Sequence, residues 1–174
     1  EDHYPEAKWN IGGAFRFDSS IQALSRYLRI MMKGYINIGT ASGSPACLWS
    51  LDWYKPRSLT RLTDFRSILD QYAESNMAVS INFDNPQITD ALLSDAVGNT
   101  FLSEAFARDR LRANSIMVAS DKLAEHIKKY FPKIKLRAGV NRLVMEQGKR
   151  TGGLYSKLAE QYDKVSIHPA DNTK

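Results

Sequence analysis

Short apolar runs alternate with segments of helical period along most of this chain, and that alternation constrains the fold more than any other feature. Residues 35–39, 77–83, 115–119, 135–140 and 164–168 each read as a strand bounded by turn or cap residues. Between them, Ile21, Leu24, Leu28 and Met31 fall on one helical face, as do Leu62, Phe65, Leu69 and Tyr72. Leu123, Ile127 and Phe131 repeat the pattern, and so do Leu154, Leu158 and Tyr162. Ser19-Ser20, Pro86 and either Ser120 or Asp121 read as helix starts, while Gly34, Asn76 and Pro132 read as stops. Residues 87–95 and 101–111 read as helical stretches separated by Gly98-Asn99.

Strands separated by helices imply parallel pairing, because a parallel neighbour is reached only through a crossover connection. The expected fold class is therefore α/β, with right-handed crossovers. A single domain is expected over 1–174, with an irregular amino-terminal segment plus a helix over 1–34 and repeated βα units over 35–174. Two architectures fit: a partial, incomplete TIM-like (β/α) barrel, or an open doubly wound sheet. A full eight-fold barrel takes roughly 250 residues, and five strands in 174 residues fall short of it.

Bulk properties narrow the function classes. The chain is 43% hydrophobic and 25% charged, as globular domains are, and it has no apolar run near the length of a membrane span. It opens at Glu1 rather than Met, as a trimmed amino terminus does, and shows no basic-then-apolar leader. Cys47 is the only cysteine, so no intrachain disulfide and no iron–sulfur cluster fits within this chain, and a reducing, cytoplasmic setting is expected. The net charge of +5 suits a phosphate-bearing ligand or nucleic acid, and equally a surface with excess lysine.

In parallel α/β folds, ligands bind beyond the carboxyl ends of the strands. The turn after the first apolar run, with Thr40, Ser42 and Ser44, offers hydroxyls and backbone N–H groups to an anion. Its small residues equally suit a close approach of two backbone segments. Asp84, Asp121 and His168 are candidate acid–base residues, with Asn85, Asn141 and Arg142 as ligand-binding neighbours. Asp84, Asp121, His168 and Asp171 carry the donor types of a divalent-metal site, although no close-spaced ligand motif accompanies them, and helix caps and turns account for the same aspartates. Cys47 reads as a small buried hydrophobe rather than a nucleophile. His126 is expected on an exposed helix face.

The run Ile38-Gly-Thr-Ala-Ser-Gly-Ser-Pro-Ala-Cys-Leu-Trp49, with Asn82-Phe-Asp-Asn-Pro86, Val118-Ala-Ser-Asp121 and Ile167-His-Pro169, resembles a bacterial and phage barrel family. That family is loosely similar to the collagenase-like peptidase superfamily, whose better-known members hydroxylate tRNA or rRNA bases. The resemblance spans residues 35–171 and implies a barrel-like fold. It carries neither iron–sulfur chemistry nor peptidase activity, because the hydroxylating members use a set of cysteines where this chain has one. Similar proteins continue into a cysteine-containing tail, and they show Asn-Gly-Gly-Arg where this chain has Ser50-Leu-Asp-Trp53.

The expected function is that of an enzyme-like domain acting on a phosphate-bearing ligand: a nucleotide, a nucleic acid or a phosphometabolite. In that reading Arg142 offsets ligand charge. The alternative is a non-catalytic interaction or assembly module, homo-oligomeric or part of a larger complex. It would use the aromatic and basic segment from Trp49 to Arg57.

Overall fold

A computed structural model describes residues 8–33, 35–51, 62–144, 152–167 and 169–171. Among them, six strands form one sheet: β1 (Lys8–Gly12), β2 (Asn37–Gly43), β3 (Ala78–Phe83), β4 (Ser115–Val118), β5 (Lys135–Ala138) and β6 (Lys164–Val165). Every pair is parallel, and the spatial order is the chain order. The connecting helices are α1 (Asp18–Met31), α2 (Leu62–Glu74), α3 (Asp90–Leu93), α4 (Ala96–Ala107), α5 (Asp121–Tyr130), α6 (Val140–Val144) and α7 (Gly152–Gln161).

With strands in consecutive order, crossovers of a single hand place the helices on one side of the sheet. The sheet curls away from them into a half-barrel. A doubly wound sheet needs a point where strand order reverses, and none occurs here.

Strand residues alternate between the two faces. Val79, Ile81 and Phe83 of β3 lie on the helix side with Ile116 and Val118 of β4 and Leu136 and Ala138 of β5, all essentially inaccessible to solvent. They join a core with Phe65, Leu69 and Tyr72 of α2, Phe101 and Leu102 of α4, and Leu123 and Ile127 of α5. Phe65 and Phe101 meet edge-to-face at 4.1 Å. Each large side chain buried this way stabilises the fold by about 1.5–3 kcal/mol.

The sequence expectations are revised in four places. β1 lies in the segment expected to be irregular. Its signal, Trp9 and Ile11 alternating with Lys8 and Asn10, is present but covers only five residues. β2 runs on to Gly43, through the expected turn, because Ala41, Ser42 and Gly43 pair with Val79, Ser80 and Ile81. Gly98-Asn99 does not interrupt a helix: it lies in the first turns of α4, where Asp95 accepts the Val97 and Gly98 N–H groups. β6 has two residues rather than five, and β5 ends at Ala138. No described helix is long and apolar enough to cross a membrane.

Candidate functional site

The side chains on the sheet face away from the helices form three rows. Asn10, Thr40 and Ala78 make the first. Gly12, Ser42, Ser80, Ser115 and Lys135 make the second. Asn82, Met117, Arg137 and Lys164 make the third, at the carboxyl end of the sheet. Lys8 and Asn37 pair at the entry to β1 and β2, and Lys8 lies over Gly39, whose absent Cβ would stand 2.7 Å from it. Among the described strand positions this inner face carries four cations, Lys8, Lys135, Arg137 and Lys164, and no carboxylate. Among the described residues none of the four has an ion-pair partner.

Two polar atoms on this face are buried and unpartnered. Ser80 is fully buried and its Oγ has no hydrogen-bond partner; Asn82 Oδ1 is likewise buried without one. Buried polar groups are almost always paired, and leaving one unpaired costs about 1–3 kcal/mol. Met117 stands between Asn82 and Arg137, and Gly139 makes room for it, since a Cβ there would meet Met117 Sδ at 2.9 Å.

The loops beyond β2 and β3 are locked together. Asp84 Oδ1 accepts the Leu51 N–H at 2.7 Å, Asn85 Nδ2 donates to the Leu48 carbonyl at 3.0 Å, and Asp95 Oδ2 accepts the Leu48 N–H. Asn85 also accepts the Gln87 N–H, closing a turn. Trp49 is fully buried. Its Nε1–H donates to the Leu92 carbonyl at 2.6 Å, and its ring packs edge-on against Phe83 and His126. Gly98 is required here, because a Cβ would come within 2.7 Å of the Trp49 ring. Cys47 is buried beside Ser50, and burial pushes its thiol up to about 12, so it stays protonated and unreactive.

Asp121 and Arg142 do come together. Arg142 donates from Nε to Oδ1 at 2.9 Å and from Nη2 to Oδ2 at 2.7 Å, a two-point pair, and Tyr162 donates its hydroxyl to Oδ1 at 2.7 Å. Burial raises the Asp121 pKa, but these two donors outweigh it and hold the carboxyl below its ordinary 3.8. Burial first, and then the facing carboxylate, push the Tyr162 hydroxyl upward. The cluster is therefore Asp⁻, Arg⁺ and neutral Tyr at neutral pH. Such an Asp121 is no proton donor, and its carboxylate already takes much of the Arg142 charge.

The residues picked from sequence thus divide. Parallel pairing brings Asp84 and Asp121 to the same end of adjacent strands, as expected, but each is engaged in its own loop. Asp84 braces the 48–51 backbone, and Asp121 holds Arg142 and Tyr162. Asp171 accepts the Tyr155 hydroxyl at 2.8 Å. Among the described residues no three of His, Cys, Asp and Glu gather as a metal site. His168 and residues 52–61 lie outside the described residues, so the Trp49-to-Arg57 segment is described only as far as Leu51, and Trp49 itself is a core residue. Thr40 and Ser42 are strand residues of the inner face, not of a turn, and Ser42 Oγ donates to the Ile11 carbonyl. Ser44 follows β2, half-buried, and Asn141 is exposed on α6. Gly43 serves a close backbone approach, with Ala14 N 3.0 Å from where its Cβ would be. His126 is not on a free surface. It is half-buried, its Nε2 is 3.2 Å from Asn99 Oδ1, and burial followed by the charge of Lys129 lowers its pKa below 6.5.

Sequence reading did not single out Ser80, Asn82, Met117, Arg137 or Lys164 as site residues. For Ser80, Asn82 and Arg137 the signal was a polar residue at alternate positions of an apolar run. Comparison with protein-family models, curated proteins and solved structures gives no match for this chain.

Proposed function

We propose that this domain binds a phosphate-bearing ligand, a nucleotide either free or within a nucleic-acid strand, on the inner face of the half-barrel. The observation that carries this reading is the charge of that face: Lys8, Lys135, Arg137 and Lys164 with no Asp or Glu among the alternate strand positions. A concave surface of one sign concentrates counter-charged ligands. Arg137 and Lys164 lie in the row nearest the carboxyl ends of the strands, where ligands of parallel α/β folds bind, while Lys8 and Lys135 open β1 and β5 at their amino ends. The reading shares a ligand class with the RNA-acting members of the superfamily that the motifs resemble. The acid–base role first assigned to Asp84 and Asp121 is replaced by positioning: the first fixes the 48–51 backbone and the second orients Arg142.

The test is calorimetric titration with ATP at low salt. Reversing Arg137 and Lys164 together to glutamate should abolish binding while leaving the melting temperature within a few degrees. Undiminished ATP binding by that variant removes the inner face from consideration.

A second reading, assembly with another copy of the chain, is favoured by the β1 edge. Trp9, Leu24, Leu28, Ile36 and Ile38 line an apolar groove of about 300 Å³ between β1 and α1. Tyr27, Ile30 and Tyr35 nearby are more than half exposed. Apolar surface of this extent marks an interaction site. Light scattering coupled to size exclusion should then report a dimer that Tyr27→Glu with Ile30→Glu converts to monomer. A monomer for the unaltered chain would dismiss this reading.

A further inference from the structure

Ser80 and Asn82 lie two residues apart on the same face of β3, and each buries a polar atom that has no hydrogen-bond partner among the described residues. A strand at the centre of a sheet has no structural need for them, since Val79, Ile81 and Phe83 already supply its packing. Alanine at either position would avoid the desolvation cost of burying an unpaired polar group. Register places Met117 directly beside Asn82, Arg137 beside Met117, and Lys164 beside Arg137. Adjacent strands are about 4.8 Å apart, so the row from Asn82 to Lys164 spans about 14 Å. Along it the chemistry changes from an amide, to a soft polarisable thioether, to two cations.

We propose that Ser80, Asn82 and Met117 form the recognition end of the ligand site, taking a heterocyclic edge that presents a hydrogen-bond donor beside an acceptor, as a nucleobase does. Arg137 and Lys164 take the phosphate end. This rests on the phosphate-binding reading above and adds the identity of the other half of the ligand. The Asn82 amide offers one acceptor and two donors, and the Ser80 hydroxyl offers either role, so a donor–acceptor edge satisfies both. Met117 supplies an apolar, adaptable surface for the face of a planar ring.

The experiment compares the four nucleoside monophosphates with ribose 5-phosphate by calorimetry, at ligand concentrations up to the millimolar range. The unaltered chain should bind at least one nucleotide about tenfold more tightly than ribose 5-phosphate, a difference of about 1.4 kcal/mol. Asn82→Ala should erase that advantage and leave ribose 5-phosphate binding unchanged, whereas Arg137→Glu should weaken both ligands. A second measurement does not depend on the variant folding. In the unaltered chain, the Asn82 side-chain amide resonances should shift with the preferred nucleotide and stay still with ribose 5-phosphate. If both ligands bind equally and Asn82→Ala changes neither, the base-recognition role is overturned while the phosphate reading stands. If neither ligand binds, the phosphate reading fails and takes this one with it.

Discussion

The two faces of this sheet are made from alternate residues of the same strands, yet they are built to opposite rules. On the helix side, Ile81, Phe83, Ile116, Val118 and Leu136 are fully buried among aromatic and aliphatic partners. On the inner side, Ser80 and Asn82 leave polar atoms unsatisfied, and four cations stand without carboxylate partners among the described residues. The contrast teaches that stability and ligand capacity reside in different sets of residues here, separated by a single step along each strand. Substitutions on the first face should therefore cost folding, and substitutions on the second should cost binding.

The strongest way to break that division is at Phe101, which is buried against Phe65. Phe101→Ala should lower the unfolding free energy by about 3–5 kcal/mol, read from chemical denaturation. A loss under 1 kcal/mol would mean that the helix side is not the structural core. Next, Gly98→Ala drives a methyl group into the Trp49 ring, which the hydrogen bond to Leu92 and the packing against Phe83 hold in place. That overpacking should cost about 1–3 kcal/mol, seen as a lower melting temperature.

Arg142→Ala tests the rim, where the pair with Asp121 is only partly shielded, with 13% and 40% of the two side chains exposed. Solvent screening limits the expected loss to about 1–2 kcal/mol at neutral pH. The folded state holds the Asp121 pKa below 3.8, so the carboxylate stabilises the fold above that value. This contribution disappears as pH falls through the lower folded value, where Asp121 becomes protonated in both states. The difference between Arg142→Ala and the unaltered chain should therefore shrink in acid, and a constant difference across denaturation curves from neutral pH into acid would place its origin elsewhere. The smallest loss belongs to the inner face. Ser80→Ala removes a buried unpaired hydroxyl and should cost no stability, raising it by at most about 1–3 kcal/mol, which is what burying the group unpaired costs. A large loss would show that the inner face carries structure after all.

Much of the architecture was legible in the chain. Periods of two and 3.6 residues located five of the six strands, and the regular alternation implied parallel pairing. The sixth, β1, carries the same alternation in Trp9 and Ile11, but five residues beside Gly12-Gly13 offer too little apolar surface to stand out before its partner β2 is known. Asp121 and Arg142 were both singled out, but their two-point contact depends on α5 and α6 meeting at the rim across 21 positions. Asp84 shows the same limit, since its partner is a backbone N–H 33 residues away. The inner face was the larger omission. Ser80 and Asn82 interrupt an otherwise apolar run, where a strand covered on both sides reads as continuous Val, Ile and Leu. That interruption marks the side of the sheet the helices leave bare.

The strictly consecutive strand order also bears on how the chain acquires its shape. Every pairing joins β-segments that are immediate successors in sequence, and no segment inserts between two earlier ones. Long parallel sheets fold slowly when distant segments must meet first. In this arrangement each newly emerged unit has its sheet neighbour already synthesised, so the strand order permits the sheet to grow from the amino end, one βα unit after another.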